Sequence, residues 1–240
     1  MSQYIYGKNV VYGLLVKQKP IKELYIQQNR QDNTIEMLAL KQGIKVKSVD
    51  RKFMDKLVNG NHQGYIALID DYPTYTIDEI IAEINKDKIP LLIALDALED
   101  PHNLGAILIT AACVGADGII IEKNRSVSLN STVAKVSVGA IDEVKVAKVT
   151  NLTQTLNDLK KKGYWIVGSD CHDAVDYRKV DYKMPLVLVI GSEGKGMRPL
   201  VKKNCDILVK LPMESDIGSL NASVACSILL YQIYSQRFPL

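Results

Sequence analysis

Three loops of this 240-residue sequence combine carboxylate, amide and hydroxyl side chains with glycines, which is typical of a ligand site. "DPHNLG" carries Asn103, and "GSEGKGM" places Glu193 among glycines that let the backbone approach a ligand closely. "ESDIGSLN" carries Ser219 and Asn221. Because the Asn221 amide can donate and accept hydrogen bonds, it can hold a carboxylate and a second polar group together.

Each loop directly follows a segment that predicts a buried strand: "LLIALD", "LVLVI" and "ILVKLPM". Because the carboxyl ends of parallel strands meet at one edge of a sheet, the three loops are predicted to form one site. Simpler structural roles stay open for each loop. The first could be a capped turn, the second a glycine-rich turn with a solvated carboxylate, and Ser219 could cap the last helix.

Composition places the chain among globular proteins, since 47% of its residues are hydrophobic and 24% are charged. This excludes disordered and fibrous classes. No segment approaches the roughly 20 apolar residues of a membrane span, and the first residues lack a signal-peptide pattern, so we expect a cytoplasmic protein without a membrane partner.

Four cysteines lie far apart, mostly inside apolar runs: Cys113, Cys171, Cys205 and Cys226. This spacing favours buried free thiols in a reducing compartment over disulfides or zinc ligands. The segment "DCHD" at 170–173 has no second cluster of ligands, so no metal is expected.

Alternating helix and strand patterns indicate two α/β domains, residues 1–72 and 90–240, with a linker at 73–89. Repeated strand and helix alternation in the second domain predicts a largely parallel sheet. The first domain has 11 Lys and Arg against 7 Asp and Glu, a net charge of +4. This excess suggests a phosphate-rich partner, with solvated surface lysines as the alternative.

The three loops with their flanks resemble the sequence motifs of a known family. "LDALEDPHNLGAILITAACVGADGIII", "LVLVIGSEGKGM" and "LVKLPMESDIGSLNASVACSILLYQ" look, in order and spacing, like the motifs of the SpoU, or TrmH-like, RNA ribose 2′-O-methyltransferases of the SPOUT superfamily. The resemblance covers residues 90–240. Residues 1–72 resemble the L30e-like substrate-binding domain that precedes it in the ribosomal RNA branch.

The resemblance implies an α/β fold with a SPOUT-type parallel sheet and a C-terminal trefoil knot, a topology that general rules would not predict. It also implies S-adenosylmethionine as the methyl donor, RNA as the partner, and a homodimer. Its carried-over roles place the backbones of Gly191, Leu211 and Leu220 against the cofactor. Around the methyl group and the target ribose it places Asn103, Glu193, Ser219 and Asn221, and Arg125 falls where the family often has arginine.

The chemistry of this reaction suits the residues. Methyl transfer from a sulfonium to a ribose hydroxyl needs an in-line approach and removal of the hydroxyl proton, but no metal. A carboxylate steadied by amide and hydroxyl groups beside a backbone-lined pocket meets those needs.

Two positions depart from the family pattern. Ile109 stands where the first motif normally has an arginine proposed to activate the hydroxyl or hold the adjacent phosphate. Isoleucine can do neither, so Arg125 or His102 would have to supply the charge, or activity would be weak. Ser215 replaces a usual glycine and affects loop shape.

The sequence therefore predicts a cytoplasmic, dimeric, S-adenosylmethionine-dependent RNA ribose 2′-O-methyltransferase, most like those acting on a guanosine of 23S ribosomal RNA. Transfer RNA is the alternative substrate. A non-catalytic RNA-binding or ribosome-assembly homologue is the rival, motivated by Ile109. A nucleotide-dependent oxidoreductase or a P-loop enzyme lacks its glycine fingerprint.

Overall fold

The computed structural model describes residues 2–30, 33–171, 174–214 and 218–240, which divide into two compact units. The first contains the chain up to Tyr72 together with residues 129–139, and the second contains 73–128 and 140–240. Residues 129–139, which the sequence places in the second domain, thus group with the first unit. Ser215 and part of the "DCHD" segment lie outside the described residues.

The first unit is built on a four-stranded sheet. Its strands are β1 (Ser2–Tyr6), β2 (Glu23–Gln27), β3 (Val46–Val49) and β4 (Tyr65–Asp70), in the order β1-β4-β2-β3. The helices between them are α1 (Lys8–Val16), α2 (Thr34–Lys41) and α3 (Arg51–Leu57). The sequence analysis did not predict β1, because polar and apolar residues are mixed in this segment. It forms a strand by pairing antiparallel with β4.

The second unit is built on a seven-stranded sheet in which every pair is parallel, in the order β7-β6-β5-β10-β8-β11-β9. Its strands are β5 (Leu91–Leu95), β6 (Gly118–Glu122), β7 (Val146–Val149), β8 (Trp165–Ser169), β9 (Val175–Asp176), β10 (Leu186–Ile190) and β11 (Ile207–Lys210). The predicted parallel α/β sheet is therefore confirmed.

The remaining helices are α4 (Ile77–Ala82), α5 (Pro101–Cys113), α6 (Ser131–Val136, in the first unit), α7 (Leu152–Lys161), α8 (Pro199–Lys203) and α9 (Ala222–Arg237). Leu152, Leu156 and Leu159 of α7 are buried in the core, as their spacing predicts. Sequence periodicity missed α8 and β9, which are too short to show a period. No described helix has the length and apolar character that crossing a membrane requires.

Strand order explains which loops can meet. Every residue of β5 and β10 is buried, as expected for central strands of a parallel sheet covered on both faces. Because β5 and β10 are neighbours, the loops that follow them leave the same edge side by side. The loop after β11 leaves that edge two strands farther along.

The cysteines are partly in the predicted environment. Cys226 is buried and Cys205 is half-buried, but Cys113 and Cys171 are exposed, so the expectation of buried thiols is wrong for these two. Cys113 is on the outward side of the last turn of α5, and Cys171 is in the loop after β8. All four are free thiols.

Candidate active site

Asn103, Glu193 and Asn221 form a closed triangle of hydrogen bonds across the three loops. The Asn103 Nδ2 group donates to Glu193 Oε1 at 3.0 Å. The Asn221 Nδ2 group donates to Asn103 Oδ1 at 2.9 Å and also to Glu193 Oε1. The structure thus brings together one polar side chain from each loop that the sequence singled out.

The orientation of the Asn221 amide follows from its second role as the N-cap of α9. Its Oδ1 atom accepts from the backbone N–H groups of Ser223, at 2.9 Å, and Val224, at 3.2 Å, and from the Ser223 hydroxyl at 2.6 Å. Because the carbonyl oxygen is used for capping, the amino group must point toward Glu193 and Asn103.

The structure thus excludes the alternative that Ser219 caps the last helix. The helix begins at Ala222, so Ser219 lies outside it, and the Asn221 carbonyl occupies the capping position. Ser219 is exposed and makes no hydrogen bond with a described residue. Its hydroxyl is available to a ligand.

Asn103 is positioned by the first turn of α5. Asp100 caps this helix by accepting from the His102 backbone N–H at 2.9 Å, and Pro101 occupies the first helical position, where its missing N–H costs nothing. Asn103 itself is only 4% exposed. The first loop is therefore a capped turn that also presents a buried amide.

The glycine-rich loop after β10 folds back tightly to present Glu193. A Cβ atom on Gly191 would lie 2.2 Å from the carbonyl carbon of Gly196, so no larger residue fits there. Ser192 and Gly196 exchange backbone hydrogen bonds of 3.1 and 2.9 Å, which close the turn. Gly194 and Gly196 have left-handed backbones with φ of 74° and 65°. Glu193, at the tip, is exposed.

Arg198 ties the end of this loop to two buried carboxylates. Its backbone N–H and Nε groups donate to Asp96, each at 2.6 Å, and its Nη2 group donates to Glu122 at 2.6 Å. Burial opposes the charge on Arg198, but the hydrogen bonds to Glu122 and Asp96 outweigh it, so the pKa of the guanidinium is raised.

Sequence reasoning missed this group. Asp96 ends the predicted strand "LLIALD" and is fully buried in the structure. A carboxylate predicted at the end of a buried strand needs a cationic partner, and that requirement was the available signal.

A cavity of about 650 Å³ opens beside the triangle, within the volume range of small-molecule sites. The residues predicted to hold the cofactor, Gly191, Leu211 and Leu220, all line it, as do Glu193 and Ser219. Further apolar lining comes from Ile190, Met213, Ala222 and Ala225. Asp170 and Lys202, joined at 3.0 Å, add an ion pair to the wall.

Two predicted positions lie apart from this cluster. Arg125 is exposed in the loop after β6, has a left-handed backbone with φ of 60°, and makes no hydrogen bond or ion pair with a described residue. It does not line the cavity. Ile109 is half-buried in α5, next to Thr110, whose hydroxyl lies 2.8 Å from the Ser227 hydroxyl of α9. Within the described ranges, no group of three or more His, Cys, Asp or Glu could hold a metal ion.

Comparison with known proteins places both parts of the chain. Residues 90–231 match the model of the SpoU rRNA methylase family, and residues 4–75 match the model of RNA 2′-O ribose methyltransferase substrate binding. A Bacillus subtilis (strain 168) protein, named as the TrmH family tRNA/rRNA methyltransferase YacO, is 47% identical over 246 aligned residues, covering 100% of this chain and 99% of its own.

Two solved structures resemble the whole chain. The SpoU methyltransferase AviRb from Streptomyces viridochromogenes, in complex with AdoMet, superposes with a TM-score of 0.84 at 22% identity, over 99% of this chain and 91% of its own, a likeness of fold. An AdoMet-bound rRNA methyltransferase from Sinorhizobium meliloti superposes with a TM-score of 0.77 at 25% identity, over 100% and 88%.

Proposed function

Since this chain belongs to the SpoU rRNA methylase family, we propose that it transfers a methyl group from S-adenosylmethionine to a ribose 2′-hydroxyl of RNA, with a guanosine of 23S ribosomal RNA as the target. The observation that carries the proposal is the triangle of Asn103, Glu193 and Asn221 beside the lined cavity. In this arrangement the carboxyl group of Glu193 is held by two amides and lies at a cavity large enough for a small molecule.

The residues that line the cavity suit the chemical groups of S-adenosylmethionine. Apolar side chains such as Leu211 and Leu220 suit a flat adenine ring, and the open backbone of the glycine-rich loop suits its polar edges. Among the charged groups of the lining, Asp170 is paired with Lys202, and the exposed Glu193 carboxylate suits a positively charged sulfur. When bound, S-adenosylmethionine supplies an electrophilic methyl group on a positively charged sulfur.

We assign Glu193 as the general base that accepts the proton of the ribose 2′-hydroxyl. Two amide groups donate to its Oε1 atom and hold the carboxyl group in place. Its Oε2 atom makes no hydrogen bond with a described residue, and we assign it as the acceptor of the proton. As the new oxygen–carbon bond forms and the sulfur–carbon bond breaks, Glu193 accepts the proton released by the 2′-hydroxyl.

Asn103 and Asn221 act through Glu193 as positioning residues, while the exposed Ser219 hydroxyl is assigned to the ribose. The cation that the family has at position 109 is missing, which leaves Arg125 as the proposed substitute near the RNA phosphate. The rival of a catalytically weak RNA-binding homologue rests on the half-buried Ile109.

The proposed domain roles use the boundaries predicted from the sequence. We assign RNA binding to residues 1–72, a linking role to 73–89, and catalysis to 90–240, with support from the two family models. The substrate-binding match favours ribosomal RNA over transfer RNA, because the family's transfer RNA enzymes commonly use short helical extensions instead. The trefoil knot and the cytoplasmic location stay predictions for this chain.

We also propose a homodimer. One face of α9 exposes apolar side chains at helical spacing: Val224 is 46% exposed, Ile228 37% and Tyr231 54%. Exposed apolar residues grouped on one face support a protein–protein contact, and the family resemblance implies a second copy of the chain as the partner.

Mass mapping of RNA from cells with and without the gene tests the function. The proposal expects loss of one ribose methyl group from 23S ribosomal RNA in the cells without the gene. Loss of a ribose methyl group from a transfer RNA instead would identify transfer RNA as the substrate. Unchanged methylation of both RNAs would contradict the enzyme and favour the RNA-binding rival.

A further inference from the structure

A second cavity, of about 320 Å³, lies entirely within the first unit. It is formed by the end of β2, helix α3 and the loop between α3 and β4. Its lining is polar: Gln27, Arg30, Arg51, Asp55, Gly60, Asn61, His62, Gln63 and Gly64. None of these residues belongs to the methyl-transfer site.

The loop that forms one wall is held in place by a buried histidine. His62 is 5% exposed, its Nε2 atom lies 3.0 Å from Asp55 Oδ1, and its Nδ1 atom accepts from the Gly64 backbone N–H at 2.9 Å. Because Nδ1 is an acceptor here, Nε2 carries the hydrogen that is donated to Asp55. His62 therefore fixes the wall and also occupies the carboxylate.

Arg30 lines this cavity and stacks on an aromatic ring. Its guanidinium carbon lies 4.4 Å from the centroid of the Tyr65 ring, a stacked cation–π contact. A Cβ atom on Gly64 would lie 2.7 Å from that guanidinium, so glycine is what makes room for the stack. Arg30 makes no hydrogen bond or ion pair with a described residue. Stacking orients the guanidinium plane, and among the described residues none accepts a hydrogen bond from the N–H groups at its edge.

The other side chains complete a site for an anion with a polar group attached. Arg51 adds a second guanidinium, tied to Asp55 at a loose 3.7 Å. Gln63 has its Oε1 atom engaged by the Lys8 backbone N–H at 2.9 Å, so its amino group remains as a donor. Asn61 is exposed at the rim of the cavity. Two arginines against one engaged carboxylate leave the cavity positive.

We propose that this cavity binds a phosphate of single-stranded RNA on Arg30 and Arg51, with the adjoining base against the amides of Asn61 and Gln63. Planar guanidinium groups match phosphate oxygens in a bidentate fashion, and amide side chains match the polar edges of bases. The identity of the polymer as RNA rests on the proposed function. The site is a second contact for the substrate, separate from the reacting ribose.

The test is fluorescence anisotropy with a fluorescein-labelled, mixed-sequence single-stranded RNA and the full-length protein. Arg30→Gln and Arg51→Gln should each weaken binding about tenfold, the order expected for a lost hydrogen bond to a charged group. Each should also lower the slope of log affinity against log salt by roughly 0.7, as for one single-strand phosphate contact. Arg30→Lys, which keeps the charge but not the planar fork, should be intermediate.

Lys41→Gln is the matched control, because it removes one exposed charge from the same unit outside the cavity. It should change binding less than either arginine variant. Equal losses of affinity in the control and in the arginine variants would overturn the proposal. Displacement of the RNA by guanosine monophosphate at an equal concentration of phosphate groups would also overturn it, because it would indicate a site for a free nucleotide.

Failure of this proposal can be told apart from failure of the proposed function. If methyl transfer to RNA is observed but Arg30 and Arg51 do not affect RNA affinity, the cavity assignment is wrong and the function stands. If the arginine variants lose RNA affinity but no RNA is methylated, the cavity assignment stands and the function is wrong.

Discussion

Arg198 and the Asp96 carboxylate join the glycine-rich loop to the end of β5 through two hydrogen bonds of 2.6 Å, one from the Arg198 backbone N–H and one from its Nε group. Asp96 is fully buried, whereas the Arg198 side chain is 37% exposed. Both oxygens of Asp96 are engaged, one by the backbone and one by the side chain. The loop that carries Glu193 is therefore anchored where it re-enters the fold.

Asp96→Asn should destabilise the protein, because it leaves Glu122 as the carboxylate partner of Arg198 and replaces one of the two buried acceptor oxygens with an amino group. We expect the free energy of unfolding to fall by about 2 to 4 kcal/mol, below the range for a fully buried pair since Arg198 is partly solvated. Chemical denaturation measures this. Asp158→Asn, which breaks an exposed pair with Lys161, is the control and should have little effect. Equal midpoints for both variants would show that Asp96 does not anchor the loop.

The sequence predicted the polar residues of the site better than the contacts that hold them. Asn103, Glu193 and Asn221 could be singled out because their loops follow three predicted strands whose carboxyl ends lie at one edge of a parallel sheet. Which residue caps α9 could not be decided from the sequence, because Ser219 and Asn221 are both good capping residues and only the start of the helix distinguishes them. The link from Asp96 to Arg198 spans 102 positions, and no local pattern encodes such a pairing.

Long-range contacts also account for two features that local sequence patterns do not indicate. Strand β1 exists through its register with β4, from Ser2 with Asp70 to Tyr6 with Ile66. The segment 129–139 belongs to the first unit although more than fifty residues separate it from Tyr72 in the chain. Strand and helix periods report local structure, and neither contains this information.

Ile109→Arg should raise the rate of methyl transfer. Position 109 is six residues beyond Asn103 in α5, about 9 Å along the helix axis, and a long arginine side chain leans back toward the helix N-terminus. One preorganised charge-stabilising group is typically worth about a hundredfold to a thousandfold in rate, which sets the upper limit of the gain. Single-turnover transfer of labelled methyl to RNA measures it.

Arg125→Ala completes this experiment. If Arg125 supplies the substitute charge, its loss should abolish activity in the natural chain but be partly tolerated alongside Ile109→Arg. All four combinations are compared. Unchanged rates in Ile109→Arg together with full activity in Arg125→Ala would show that neither position contributes to the reaction.

The thiols should differ in reactivity according to burial. Burial raises the pKa of Cys226, and likewise of Cys205, to about 12. At pH 8 both therefore stay protonated, and a disulfide reagent such as dithionitrobenzoate should modify the exposed Cys113 and Cys171 first. Peptide mass mapping of the early product identifies the sites. Simultaneous modification of Cys226 would contradict this ordering.

The same shift predicts a loss of stability in alkali. A raised pKa means that the folded state favours the neutral thiol, so the stabilisation is complete below the ordinary value of 9.0 and is lost as the pH rises through about 12. Cys226→Ala should reduce the fall in the free energy of unfolding between these values. If the free energy of unfolding of the natural chain and of Cys226→Ala fell equally over this pH range, the raised pKa of Cys226 would be contradicted.

Light scattering after size-exclusion chromatography should give the mass of a dimer, twice the 26.7 kDa of the chain. Tyr231→Glu, on the exposed face of α9, should give monomers because it places a charge in an apolar contact. Met37→Glu, a comparably exposed apolar residue of α2, should remain dimeric. A monomeric natural chain, or a dimer that Tyr231→Glu does not weaken, would refute the α9 contact.

Transfer of a labelled methyl group from S-adenosylmethionine to 23S ribosomal RNA purified from cells lacking the gene tests the central claim most directly. The natural chain should methylate one ribose, seen as a single linkage resistant to alkaline cleavage. Glu193→Gln, which keeps the shape but not the acceptor, should slow transfer about a hundredfold or more, whereas Glu99→Gln, an exposed control at the same sheet edge, should not. No transfer to any RNA by a folded protein that binds S-adenosylmethionine, or full activity in Glu193→Gln, would contradict the assignment.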